Sequence, residues 1–402
     1  MKFHFFDLII FYYLTKIYIR MPAAPLQPMF KVECGPWRVV IDCRSKFPLI
    51  QIPSYNQMSS YNKPPLTLIQ QINRLEQTGL KIKNRQEAFH HLKFINFHRF
   101  LGYCKVFRDD NPKYQKKINE IKKINEIKLF KVDSTFNQVL YLYHFDRELR
   151  LLVMNVLERI EVAVRTVIVN TLSLKYGDFW YLDIALFKQE QKNQSMSRCD
   201  LINTIKQEVD RASKATVISD YKKTYSQFPS LPFTAITKDI LPPSWMMAEV
   251  ITFGRWAEIY SSLAKDKDRK IIANEFELSY EDMDSWLHSL VTLRNICAHH
   301  GILWNHKITA YPPKKPKTKR LCKLMNKQQN ISMSLTKWHH DELYVRLLII
   351  QFFLDVIEPS SDWKNRLVNL IHEYEMKIPL PDMAIKYMKF PEKWEHDPLW
   401  NF

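Results

Sequence analysis

The chain has 402 residues, 59 Lys and Arg against 42 Asp and Glu, a formal net charge of +17 and only 6 glycines. That length can bury a sizeable core and is compatible with about one to three domains. The scarcity of glycine and the lack of any G-x-G-x-x-G or G-x-x-x-x-G-K-[ST] string argue against a nucleotide-cofactor enzyme, and no cofactor is expected. A positive field of this size favours polyanions, so nucleic acid is the leading partner class.

From the N-terminus, MKFHFFDLIIFYYLTKIYIRM is interrupted by Asp7 and Lys16, so its apolar run is too short to cross a bilayer, and no small-x-small cleavage pattern follows. It reads as an N-terminal helix or as sequence ahead of a start at Met21. A surface anchor over residues 3–19 is the membrane alternative. Cys34, Cys43, Cys104, Cys199, Cys297 and Cys322 are scattered with no C-x-x-C pair, which suits a reduced, cytoplasmic protein. Residues 21–64 are proline-rich and extended, with a short strand at Trp37 to Cys43. Beyond Pro64 helical periodicity takes over. LTLIQQINRLEQTGL closes at Gly79, and NRQEAFHHLKFINFHRFLGYCKVF reads as one helix with Asn84 as N-cap and Glu87 completing the cap. The tandem KKINEI, Lys116 to Ile121 and Lys122 to Ile127, reads as a solvated surface element.

Apolar residues recur at spacings of three and four from Phe145 to Leu172, which predicts a long core helix; Asp146/Arg150 and Glu161/Arg165 are spaced to pair along its flanks. One helix is expected between residues 188 and 230. LPPSWMMAEVITFGRWAEIYSSLAK reads as a helix with Ser244 as N-cap, where Gly254 permits close approach of a neighbour. SYEDMDSWLHSLVTLRNICAHH starts at a Ser279/Asp282 cap and stops at Gly301, and ELYVRLLIIQFFLDVI and WKNRLVNLIHEY complete the helices. The expected fold class is all-α. Its expected divisions are a lead-in (1–61), an N-terminal helical region (62–135), a helical domain with the chemistry-bearing residues (136–312), and a basic loop with C-terminal helices (313–402).

In the helix ending at Gly301, Arg294 falls inside the apolar stripe Met283, Trp286, Leu287, Leu290, Leu293 and Cys297. A guanidinium there requires a carboxylate, a neighbouring subunit or a phosphate. Asn295 and His299 are i,i+4, so the amide is expected to orient the imidazole. A histidine beside an arginine suits phosphodiester transfer. In that chemistry an RNA 2'-OH attacks its own phosphorus, His299 moves the proton, and Arg294 stabilises the charge on the transition state. DNA lacks the hydroxyl. The mechanism needs no metal, and C-x-H-H-x5-H from Cys297 to His306 matches no standard zinc site.

An Arg followed five residues later by His is common by chance, but the longer string RNICAHHGILWN, Arg294 to Asn305, resembles the signature of AbiD/AbiF-type abortive-infection (Abi-like) proteins. Three further blocks resemble the same family in the same order: INRLEQTGLKIKNRQEAFHHLKFINFHRFLGY; YHFDRELRLLVMNVLERIEVAVRT with YGDFWYLD; and PPSWMMAEVITFGRWAEIY. The likeness spans about residues 62–310; Phe97-His98 stands where relatives often carry paired tyrosines. The family looks like a branch of the HEPN superfamily, helical bundles whose R-x4-6-H motif usually forms a composite ribonuclease site across a dimer. The resemblance therefore implies an all-α, HEPN-type bundle with additional N-terminal and C-terminal helices. It implies catalytic Arg294, Asn295 and His299, a homodimer, and a role in phage defence or as a toxin, with a small antidote RNA or protein in some members.

Each residue also has a plainer reading. Arg294 and His299 can be a structural ion pair and a helix-capping histidine. His300 is a second catalytic group or, in preference, a packing residue. Glu249 neutralises a buried arginine or is a surface acid, and Trp304 is a recurrent family position of undefined role. Lys314, Lys315, Lys317, Lys319, Arg320, Lys323 and Lys327 form a solvated loop or an RNA-backbone contact close to the motif. The function expected from the whole is a metal-independent endoribonuclease; the alternative is a non-catalytic basic RNA-binding protein, bound to a small regulatory RNA.

Overall fold

The computed structural model describes residues 29–34, 37–42, 64–109, 129–189, 198–212, 216–225, 241–316, 342–380, 382–392 and 394–396. The N-terminal stretch before residue 29, both KKINEI copies, Cys43, Cys322, Lys317, Lys319, Arg320, Lys323 and Lys327 lie outside them. Two compact units result, Met1–Leu66 and Thr67–Phe402. In the first, β1 (Met29–Cys34) pairs antiparallel with β2 (Trp37–Asp42), with Met29 opposite Asp42 and Cys34 opposite Trp37. The strand expected at Trp37 is thus one arm of a hairpin.

The second unit is all-α. Helix α1 (Leu68–Gln77) starts at a reciprocal Thr67/Gln70 capping box, and the chain leaves it through Gly79 at φ +95°. The single helix expected over the next segment is two: α2 (Arg85–Phe94), capped by Asn84, and α3 (Phe97–Cys104), capped by Asn96. Asn96 Oδ1 accepts from the amides of His98 and Arg99, and such a cap competes with continuation of the helix. Helix α4 (Phe136–Tyr176) is longer than the periodicity alone predicts; a Thr135/Gln138 capping box extends it upstream and Gly177, at φ +87°, ends it. Phe145, Leu149, Val153, Val156, Ile160, Val164, Ile168 and Leu172 are fully buried along it, each contributing about 1.5–3 kcal/mol relative to exposure.

The segment expected to hold one helix holds two among the described residues, α5 (Arg198–Arg211) and α6 (Thr216–Tyr225). The following pattern is also broken, into α7 (Ser244–Met247) and α8 (Phe253–Ser262), with Pro243 rather than Ser244 as the cap. Gly254 faces Val291, where a methyl group would sit at an ordinary 3.5 Å contact. Then follow α9 (Asp266–Asn274), α10 (Tyr280–Ala298), α11 (Leu343–Ile357), α12 (Trp363–Lys377) and α13 (Met383–Lys386). Helices α3 and α7 to α12 include the packing partners of α4, which is therefore the spine of the bundle: α3, α7, α8, α9, α10, α11 and α12 all touch it. Polar ties reinforce the apolar packing. Buried Asp268 takes the Tyr176 hydroxyl at 2.7 Å and the Lys175 ammonium, and Trp363 donates to the Leu152 carbonyl at 3.1 Å.

Candidate active site at the end of α10

Helix α10 begins at the expected cap, with Ser279 Oγ accepting from the Asp282 amide at 3.0 Å, and buries Met283, Trp286, Leu287, Leu290, Leu293 and Cys297. Its C-terminus departs from expectation. His299 is the last cap residue, His300 takes the left-handed conformation at φ +58°, and Gly301 follows it. The His300 amide donates to Cys297 O at 3.0 Å and the Gly301 amide to Ile296 O at 2.8 Å, a Schellman closure with histidine where glycine is usual. Gly301 is required for a different reason: a Cβ there would lie 3.0 Å from Ile296 Cγ2 and 3.1 Å from the Ile296 carbonyl. His300→Gly should raise the unfolding free energy by about 0.5–1 kcal/mol by removing left-handed strain, and Gly301→Ala should lower it by about 1–3 kcal/mol. Urea unfolding of both proteins checks the pair, and equal stabilities would contradict this geometry. His300 is also exposed, so the packing role preferred for it does not hold.

Arg294 is 33% exposed and lies beside Glu161 of α4, with Nε 4.0 Å from Oε2. Its Nε is buried, yet it makes no hydrogen bond among the described residues. Of the partners the sequence left open for Arg294, a carboxylate, a neighbouring subunit or a phosphate, the one beside it here is the Glu161 carboxylate. Burial raises the Glu161 pKa above its ordinary value against the opposing pull of Arg294 and Arg165. Glu249 instead meets Arg165 Nη2 at 3.0 Å, and Arg165 also donates to the Ala248 carbonyl. Glu249 thus neutralises an arginine, Arg165, which also pulls on Glu161 one turn back along α4, so the charges alternate from Glu249 through Arg165 and Glu161 to Arg294.

The orienting bond expected from Asn295 to the imidazole is not formed. Asn295 Oδ1 accepts from Arg294 Nη1 at 3.5 Å, and what His299 takes from Asn295 is a backbone bond, N–H to carbonyl, at 3.0 Å. His299 has left helical geometry (φ −88°, ψ 13°), so its side chain no longer stacks one turn above Asn295. Arg294, Asn295 and His299 still share the last turn and cap of one helix, with His299 exposed.

What holds this helix end was missed in the sequence. Asp146 of α4 is fully buried and accepts from the backbone amides of Leu303 at 2.9 Å and Trp304 at 2.8 Å, from the Tyr103 hydroxyl at 2.6 Å, and from Arg150. Arg150 also donates to the Gly301 carbonyl at 3.1 Å. Burial opposes the Arg150 charge, but Asp146 and Tyr103 outweigh it and hold the guanidinium above its ordinary pKa. Burial raises the Tyr103 hydroxyl, with Asp146 adding to it, so it remains a donor at neutral pH. On α3, Gly102 gives Ile302 its place; a Cβ would come within 2.7 Å of Ile302 Cδ1. Trp304 is fully buried beside Tyr387 and acts through its backbone amide, so its role is to anchor the turn. The Asp146/Arg150 pair expected along a flank of the helix is thus the buried clamp of residues 301–304. Burial also pushes the Cys297 thiol up to about 12, leaving it an unreactive core residue at neutral pH.

Past the turn the chain runs back along the bundle. Arg346 donates to the Ile308 carbonyl at 3.0 Å, Trp286 Nε1 to the Lys314 carbonyl at 3.1 Å, and the Lys314 amide to Ser285 Oγ at 2.8 Å. Lys314 and Lys315, both exposed, therefore lie at the first half of α10 rather than at the motif end. Among the described residues no group of three or more His, Cys, Asp or Glu is placed to hold a metal ion, and no helix is long and apolar enough to cross a membrane.

Residues 90–305 match the family model described as Abi-like protein, and that span contains α3, α4, the Asp146 clamp, Arg294 and His299. No curated protein and no solved structure shows a significant match.

Proposed function

The chain belongs to the family of Abi-like proteins, which points to abortive-infection phage defence, and from that premise we propose that it is a cytoplasmic, metal-independent endoribonuclease of the HEPN type. The observation that carries the reading is that one braced helix end presents both an exposed imidazole and a partly exposed guanidinium set beside Glu161. His299 takes the proton of an RNA 2'-OH as that oxygen bonds to the adjacent phosphorus; the 5'-oxygen leaves with a proton, and a 2',3'-cyclic phosphate remains. Arg294 offers charged hydrogen bonds to the phosphoryl oxygens as negative charge accumulates on them. A second copy facing the same groove would supply the group that protonates the leaving oxygen, which is the reason to expect a homodimer.

The test is to incubate purified wild-type and His299→Ala protein with total cellular RNA in EDTA and to analyse the product ends. Cyclic phosphates from wild type alone are the expected result. Cleavage that persists in His299→Ala, or that stops in EDTA, would overturn the mechanism. RNA binding without cleavage by either protein would favour the non-catalytic RNA-binding reading, including one in which a regulatory RNA is the partner.

A further inference from the structure

One face of α10 joins the motif to the tethered lysines. Ser285, His288, Thr292 and Asn295 follow at spacings of three and four, so they line one side of the helix, His299 caps its end four positions on, and none of the five is buried. At the far end of that line, Tyr311 stacks on the His288 imidazole, with ring centroids 5.1 Å apart and planes 18° apart. His288 Nε2 is held in turn by Ser261 Oγ at 2.8 Å, and the same hydroxyl bonds Asp284. Tyr311 is 62% exposed, so one ring face covers the imidazole and the other is open. Its backbone sits at φ +47°, a conformation that costs a tyrosine about 1–2 kcal/mol and that the surrounding bonds must maintain. The two hydrogen bonds at Lys314 fix the chain immediately beyond it.

We propose that this face is a track for single-stranded RNA, in which Tyr311 stacks a base, Lys314 and Lys315 take its phosphates, and the strand leads along Thr292 and Asn295 to His299. The inference rests on the ribonuclease reading for its endpoint, but the track itself is a binding site testable without cleavage. An open aromatic face beside exposed lysines is the sequence-tolerant way to hold a single strand, through stacking and backbone charge. A duplex would not offer an unstacked base to Tyr311. Glu281, partly exposed in the first turn of α10, repels phosphate and ends the track at Lys314 and Lys315. His299 lies eleven positions beyond His288, about 16 Å of helix rise, which matches about five nucleotides of a stacked strand.

The experiment measures binding of fluorescent oligoribonucleotides of about four and about twelve nucleotides, lengths chosen below and above that span, to His299→Ala protein. Tyr311→Ala added to this background should weaken the longer ligand about tenfold while leaving the shorter one unchanged, and Tyr311→Trp should restore it. Lys314→Gln with Lys315→Gln should lower the salt slope of the longer ligand by about 1.4, at about 0.7 per phosphate contact on a single strand. Tyr311 is exposed, so these variants should unfold at the wild-type temperature. Unchanged affinity of Tyr311→Ala for the longer ligand, or equal weakening of both lengths, would overturn the track even if wild type cleaves RNA. Length-selective loss in a protein whose wild type never cleaves would keep the track and reject the ribonuclease.

Discussion

Asp146→Ala should lose about 3–5 kcal/mol of unfolding free energy, although it removes a single carboxylate from a chain of 402 residues. The carboxylate has no solvent exposure and serves four donors, two of them backbone amides in the turn after the motif. Without it, Arg150 becomes a buried charge whose remaining acceptors are the Gly301 carbonyl and the Tyr103 oxygen, and the amides of Leu303 and Trp304 lose their partner at about 1–3 kcal/mol each. Asp146→Leu with Arg150→Met should cost less than Asp146→Ala alone, because removing both charges leaves no unpaired ion in the core. Urea unfolding of the single and double variants gives the coupling. A loss below about 1 kcal/mol for Asp146→Ala would mean that water reaches the turn and that the clamp does not exist as drawn.

The long helix α4 was legible because nearly every turn of it contributes a core residue, and the site was legible because an arginine interrupts an apolar stripe. The clamp was not. An Asp/Arg pair at i,i+4 reads as a flank pairing in one dimension, and only the return of residues 301–304 across α4 makes it a core feature. The break at Asn96 and the break before Phe253 failed for the opposite reason. Apolar periodicity runs through both, so the competing signals, an asparagine cap and a tight 248–252 turn, were outvoted by the pattern. At the motif itself the sequence placed the right side chains on one helix end but assumed helical geometry through His299, and the left-handed His300 cancels that assumption. Glu161 went unassigned to Arg294 because a contact between two helices 133 positions apart has no local signature.

Arg294→Ala should lower RNA cleavage about 100- to 1,000-fold, the usual cost of one preorganised charge-stabilising group, while changing RNA affinity little because the tethered lysines lie elsewhere. Arg294→Lys should recover only a small part. Its ammonium lacks the planar fork that addresses two phosphoryl oxygens at once, and it cannot reproduce an Nε donor on the helix side of the group. Glu161→Gln separates holding from chemistry. The Glu161 carboxylate draws Arg294 back toward α4 and offsets its charge, so neutralising it should loosen the guanidinium and make it more available to phosphate. If Glu161 chiefly positions Arg294, the glutamine variant should cleave about tenfold more slowly with affinity unchanged, an effect on kcat alone. If it chiefly restrains the charge, affinity should rise and cleavage should be retained. Single-turnover cleavage beside oligoribonucleotide binding, for all three variants, separates these cases. Full activity in Arg294→Ala would remove the guanidinium from the mechanism and leave its half-exposed position beside Glu161 as a structural ion pair.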